Sequence, residues 1–323
     1  MTVETPEFEV NRWPGRQDLQ PRQTTQIITA DIDGGAAEVV FESDELFEAP
    51  NWTPDGTGLV LNGRGALFFF DLQSRSLRVI ETSGVTRVNN DHILSPDGAF
   101  VYFSAAGSLY SVPIAGGDVR KISNDHPAQM QYFYWLHGVS PDGETLVYVA
   151  THAVGDDPNP RGRIRLATIP TAGGDDTYLT DNETVHFDGP EYSRDGAWIY
   201  YNSEEAATVP GHAQLFRMRS DGSDHEQLTF DDRVNWFPHF DPAGARVLYL
   251  SYEPGIESHP ADVELLIRVM DPEGGGIRDV VSVFGGQGSL NVNSWSPYGA
   301  RFAYAAYPIE GYGGGIDRWQ NRG

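Results

Sequence analysis

Nine histidines stand in this chain of 323 residues, and several fall in short polar and aromatic clusters. These are Asn89-Asn90-Asp91-His92, Tyr134-Trp135-Leu136-His137, His186-Phe187-Asp188-Gly189-Pro190, Asn235-Trp236-Phe237-Pro238-His239 and Asn291-Val292-Asn293, with Gln287 just ahead of the last. Imidazoles gathered with carboxamides can bind a divalent metal, hold a polyhydroxylated ligand, or move protons near neutral pH. In a catalytic reading, His137 or His239 is the general base and Asp188 an acid or metal ligand. A metal reading takes His92, His137 and His239 as ligands of Ca, Mn or Zn, although their spacing is not a metal signature by itself. Asn90, Asp91, His92, Trp135, His186, Asn235, Trp236, Gln287, Asn291 and Asn293 would contact a small polar ligand such as a sugar or sugar acid. Arg233, like Arg87, would meet its carboxylate.

Composition narrows these options. The chain has no cysteine, so disulfides and thiolate metal sites are excluded and any metal needs His, Asp, Glu or amide ligands. A formal charge of -24, with Lys121 the sole lysine, argues against nucleic acid, whose phosphates require clustered Lys and Arg. The opening residues show no basic start followed by an apolar run, and no 18-residue apolar stretch occurs. No membrane span is expected. The chain as written reads as cytoplasmic, or as periplasmic if a signal peptide has been removed.

The clusters acquire positions from a repeat. Six segments share one turn and one strand pattern: NWTPDGTGLVLNG from Asn51, HILSPDGAFVYFSA from His92, HGVSPDGETLVYVA from His137, PEYSRDGAWIYYNS from Pro190, HFDPAGARVLYLSY from His239 and NSWSPYGARFAYAAY from Asn293. Aligned on the turn, they place Thr53, Ser95, Ser140, Ser193, Asp241 and Ser296 in one column. Proline presets φ for the turn, its Asp side chain serves the turn, and glycine tolerates positive φ at its end. Bulky strands follow, as in Phe100-Val101-Tyr102-Phe103, then a third strand such as Ser108–Pro113 and a fourth around Val119–Ile122. Four strands per unit make one propeller blade.

The sixth unit supplies only two strands, through Tyr307. The missing pair is expected from residues 26–35 and 38–41 near the amino terminus, which would close the ring and remove its open edge. The expected architecture is an all-β, six-bladed propeller with four antiparallel strands per blade, its last blade closed by N-terminal strands. It spans residues 24–307, with an extension at 1–23 and a tail at 308–323.

These Ser-Pro-Asp-Gly turns and their strand spacing resemble the TolB-like, or PD40, propeller repeats from about Gln26 to Tyr307. The resemblance implies the fold and, as an alternative to sugar binding, a non-enzymatic scaffold that receives a peptide or protein loop. TolB itself works in the periplasm and carries an additional α/β domain. Prolyl oligopeptidase propellers are also similar, but no Gly-x-Ser-x-Gly nucleophile elbow occurs here. Oligogalacturonate lyases, a related family, hold a metal with His and Gln; Gln287 is suitably placed, yet Asn291 and Asn293 stand nearby and no His follows.

In such a blade, the lead-in to the innermost strand and the hairpin between the second and third strands share one face. The polar clusters are lead-ins. The long segments His152–Arg163, Ser203–Gln214 and Glu253–Glu264 are the matching hairpins, carrying Asp156, Asp157, His212, Glu257 and His259, and loops of this length commonly have functional roles. Both sets are therefore expected at one channel mouth. Repetition also supports structural readings: His92 and His137 share a column suited to a recurring hydrogen bond, Trp135 and Trp236 share one suited to blade packing or a stacking platform, and Arg87 and Arg233 one suited to a salt bridge.

Overall fold

The computed structural model describes residues 18–153, 163–181 and 185–311. Expectations for Asp156, Asp157 and most of the two terminal segments lie outside them. Six antiparallel sheets follow one another along the chain, five of them four-stranded. The innermost strands of these five are Glu48–Trp52, Val88–Leu94, Phe133–Val139, Phe187–Tyr192 and Val234–Phe240. The sixth sheet orders Glu38–Ser43, Thr25–Asp31 and Arg301–Ala306, so strands from both ends of the chain close the ring. The closing strand runs in register from Gln26 opposite Ala306 to Asp31 opposite Arg301.

The sixth blade departs from the others in its innermost strand, which is reduced to a bridge between Trp295 and Phe302. The side chain of Asn293 bonds beyond this blade. Its amide donates to Glu191 and to the Phe240 carbonyl, at 2.8 and 2.9 Å, while its oxygen accepts from the Trp295 amide at 3.2 Å. The Asn293 amide thus ties this segment to the fourth and fifth blades. Closure also continues past the sheet, where Gln23 bridges Ile309 and the Gln23 amide bonds Asp262 and the Tyr307 carbonyl.

Alternating bulky residues place one apolar cluster at each junction between neighbouring blades. Trp236, Leu248 and Ile267 of the fifth blade pack with Ile28, Phe302 and Tyr304 of the sixth, whereas Tyr134, Leu136 and Tyr148 of the third pack with Ile93 and Leu109 of the second. The repeat turn stitches blades at the opposite end. Ser95 Oγ donates to Asp97 and accepts from the Phe100 amide, at 2.6 and 2.9 Å. Gly98 sits at φ +71°, where an added Cβ would lie 3.1 Å from Pro54 of the preceding blade. In the fifth blade Asp241 replaces the serine, its carboxylate taking the Ala245 and Arg246 amides and the Arg246 guanidinium.

Each of the five complete innermost strands carries a β-bulge ahead of the repeat turn. A bulge inserts an unpaired residue and re-aims side chains. It therefore decides which lead-in residues face the channel. In the third blade Leu136 pairs with Tyr148 and Gly138 with Val147, leaving His137 as the extra residue. In the second, His92 pairs with Phe103 and remains in the ladder. The two histidines occupy one repeat column but are turned to different surroundings.

Candidate functional site

Residues from the third, fourth and fifth blades converge on Asp188. Its Oδ1 lies 2.9 Å from His137 Nε2 and accepts from the Gly189 amide at 2.8 Å. Its Oδ2 stands 3.8 Å from His259 Nε2 and 3.9 Å from His186 Nε2, beyond direct hydrogen bonding. His186 faces Glu204 at 3.4 Å, and Glu204 is anchored by the Gly211 amide at 3.1 Å. Beneath them lie Trp236 and Phe237, both fully buried. Trp236 contacts the rings of His186 and His259 edge-on, and Phe237 stacks on His137 with centroids 5.7 Å apart.

Local backbone geometry makes this convergence. Gly189 occupies the bulge at φ +59°, and a Cβ there would stand 2.8 Å from Phe237 and 2.9 Å from the Asn202 side chain. The same bulge position in the fifth blade is held by Phe237 itself, at φ +55°. Only glycine lets the Asp188 backbone approach that ring so closely.

The electrostatics divide the cluster. Burial works to raise Asp188, but the hydrogen bond and charge of His137, aided by His259 and His186, outweigh it and hold the carboxylate well below its usual range. For His137, burial favours the neutral ring; Asp188, then Asp91 and the Asn291 backbone, reverse this and raise its pKa. His137 and Asp188 thus each favour the other's charged form across a buried contact. Asp91 is less well compensated: burial, reinforced by Asp188, pushes its carboxyl up to about 6 despite His137 and a 2.6 Å hydrogen bond from Asn89. Burial lowers His259 to about 4, so this imidazole is neutral at neutral pH. Hydrogen bonding from His186 is the main cause that lowers Glu204.

The remaining sequence-derived residues take distinct places. Gln287 hydrogen-bonds His259 through its side chain, its Oε1 buried with no other partner. Asn291 accepts from the Gly288 amide at 2.8 Å, and Asn90 points to Glu48 at 3.5 Å. His239 belongs to a second group: its nitrogens meet Glu191 at 2.7 Å and the Leu290 carbonyl at 3.0 Å, with Asn293 on the same Glu191. His92 reaches the Val60 carbonyl at 3.3 Å, and burial lowers it to about 4. Asn235 is buried within the fifth blade, bonding Asp231 and Ser251. Arg233 pairs with Glu253 and Ser251, and Trp135 donates to Thr151. His92, His137 and His239 thus hold separate partners, and among the described residues no group of three or more His, Asp or Glu side chains is arranged to hold a metal.

Two contributors, His259 and Glu204, were visible only as residues of long hairpins. No short spacing links His259 to Asp188, 71 positions earlier. What marked them was hairpin length on the face that also carries the lead-ins.

No protein-family profile matches the chain. An uncharacterized protein of Agrobacterium fabrum is 38% identical over 279 residues, covering 84% of this chain and 89% of that protein. A Tol-Pal system protein TolB of Anaeromyxobacter dehalogenans is 27% identical over 112 residues, or 32% of this chain and 25% of that protein. Among solved structures, a protein of Agrobacterium tumefaciens provisionally named TolB superposes with a TM-score of 0.79 at 35% identity, covering 88% of this chain and 99% of that one. TolB of Acinetobacter baumannii gives 0.60 at 17% identity, covering 83% and 66%. An oligogalacturonate lyase in complex with manganese gives 0.53 at 15%, covering 80% and 67%. The last two likenesses concern the fold alone. On the 38% and 35% identities and on the six closed blades, the chain belongs to the TolB-like six-bladed β-propeller family.

Proposed function

We propose that this propeller is a non-catalytic scaffold of TolB type that captures a segment of a protein partner at the Asp188 mouth. The observation carrying this reading is the commitment of both imidazoles considered as general bases. His137 is buried with its Nε2 taken up by Asp188 at 2.9 Å, and His239 has both nitrogens engaged by Glu191 and Leu290. A base must reach its substrate with a free lone pair; these rings instead brace neighbouring blades. The sugar or sugar-acid reading has less support, since the oligogalacturonate lyase likeness reaches only the fold. Tol-Pal proteins among the relatives favour the scaffold, and with it the periplasmic alternative for localisation. Among the described residues no helix is long and apolar enough to cross a membrane.

The reading is tested by screening a displayed peptide library against the wild-type propeller and His259→Ala. Peptides that bind wild type and lose binding in the variant support capture at this mouth. Cleavage of oligouronides by the wild type, lost in His137→Ala, overturns it.

A further inference from the structure

Resting on the scaffold reading, we infer that the Asp188 mouth recognises a cationic N–H donor, an ammonium or guanidinium group. The mouth is rich in acceptors that the fold leaves unmatched. Asp188 Oδ2 faces two imidazole nitrogens across 3.8 and 3.9 Å. These gaps are too wide for direct bonds, and a nitrogen at ~2.8 Å from both atoms would close them. Gln287 hydrogen-bonds the neutral His259 ring, and since Gln287 Oε1 and His259 Nδ1 are buried with no other partner, Nδ1 carries the proton and Nε2 presents a lone pair toward Asp188. Glu204, facing His186, and Asp91, whose carboxyl Asp188 raises, add further carboxylates, and His137 meets Asp188 Oδ1.

An anionic ligand would meet this group with like charge, and a neutral polyol would leave Asp91 poorly compensated in a buried setting, which is costly. An N–H cation supplies donors and charge together. The formal charge of -24 would further concentrate cations near the protein. A bare metal suits the arrangement less well, because among the described residues no three such side chains close into a coordinating group.

The test is calorimetric titration with four probes: capped Gly-Lys-Gly, capped Gly-Arg-Gly, capped Gly-Gln-Gly and free n-butylammonium, with Mn2+ alone as a control. The Lys or Arg peptide is expected to bind and the Gln peptide to bind at least about tenfold more weakly, the loss of one charge-assisted hydrogen bond. Asp188→Asn and, as a variant outside the His137–Asp188 contact, Gln287→Ala should each weaken the cationic peptide. Binding of butylammonium as tight as that of the peptides would support the inference with a free amine as source; binding by peptides alone would assign the cation to a partner segment. Equal affinity for Gln and Lys peptides at this mouth would overturn the cation inference while leaving peptide capture intact. Mn2+ binding without amine binding would overturn it, as would cationic binding unaffected by either variant. Oligouronide cleavage would instead count against the scaffold reading.

Discussion

Asp91→Asn should make the protein more stable at neutral pH, because the native carboxylate is buried with incomplete compensation. Its carboxyl is raised from 3.8 to about 6, mainly by burial. A folded-state pKa above the unfolded value means that the native state holds the proton more tightly. The penalty is therefore absent below about pH 4, grows as pH rises, and is complete above about pH 6. At about 1.4 kcal/mol for each pH unit between the two values, the ceiling is roughly 3 kcal/mol. Attraction to His137 is already contained in the raised pKa. Asparagine keeps the shape, and its carbonyl can accept the Asn89 bond that Asp91 accepts now.

The expected gain is thus about 1–3 kcal/mol near pH 7.5, equivalent to roughly 2–8 °C in melting temperature. Urea unfolding at about pH 4, 5.5 and 7.5 checks it. The variant and wild type should converge at the lowest pH and separate as pH rises. A gain independent of pH, or a variant less stable than wild type at pH 7.5, would refute the account of Asp91. A native residue that lowers stability in a mouth lined by other carboxylates is the pattern of a binding group, where stability and function oppose each other.

Gly189→Ala should cost about 2 kcal/mol or more, since it combines a disfavoured positive φ with a Cβ 2.8 Å from Phe237; circular dichroism melts measure the loss, and an unchanged midpoint would show that the bulge tolerates a side chain. Deleting residues 24–43 removes both outer strands of the sixth blade and should abolish cooperative thermal unfolding, whereas a truncated chain melting as sharply as the full one would argue against closure by the termini.

Much of the architecture was legible without coordinates because its signals are local. A Pro-Asp-Gly turn, a serine five residues before the next strand amide, and alternating bulky residues recur in the same order. The serine does what its column required, bonding both the turn Asp and the strand amide in Ser95, Ser140 and Ser193 alike. The orphan strands at each end of the chain completed one another by simple count. Where the sequence varied, local chemistry compensated, as when Asp241 recruited Arg246.

The site depended on smaller displacements with larger effects. His92 and His137 are indistinguishable by column, yet a bulge displaced by a residue or two leaves one in the ladder and turns the other onto Asp188. A side chain in a strand changes face with every single-residue shift, so periodicity cannot foretell where a bulge places it. His259 approaches Asp188 from a hairpin of the fifth blade, a meeting set by how adjacent sheets pack, while Glu204 meets His186 from the hairpin of the fourth. The amino-acid sequence alone determined the number of blades, the means of closure and the face carrying the polar residues. Tertiary packing decided which of those residues share a charge, because burial and cross-blade distance exist only once the ring has closed.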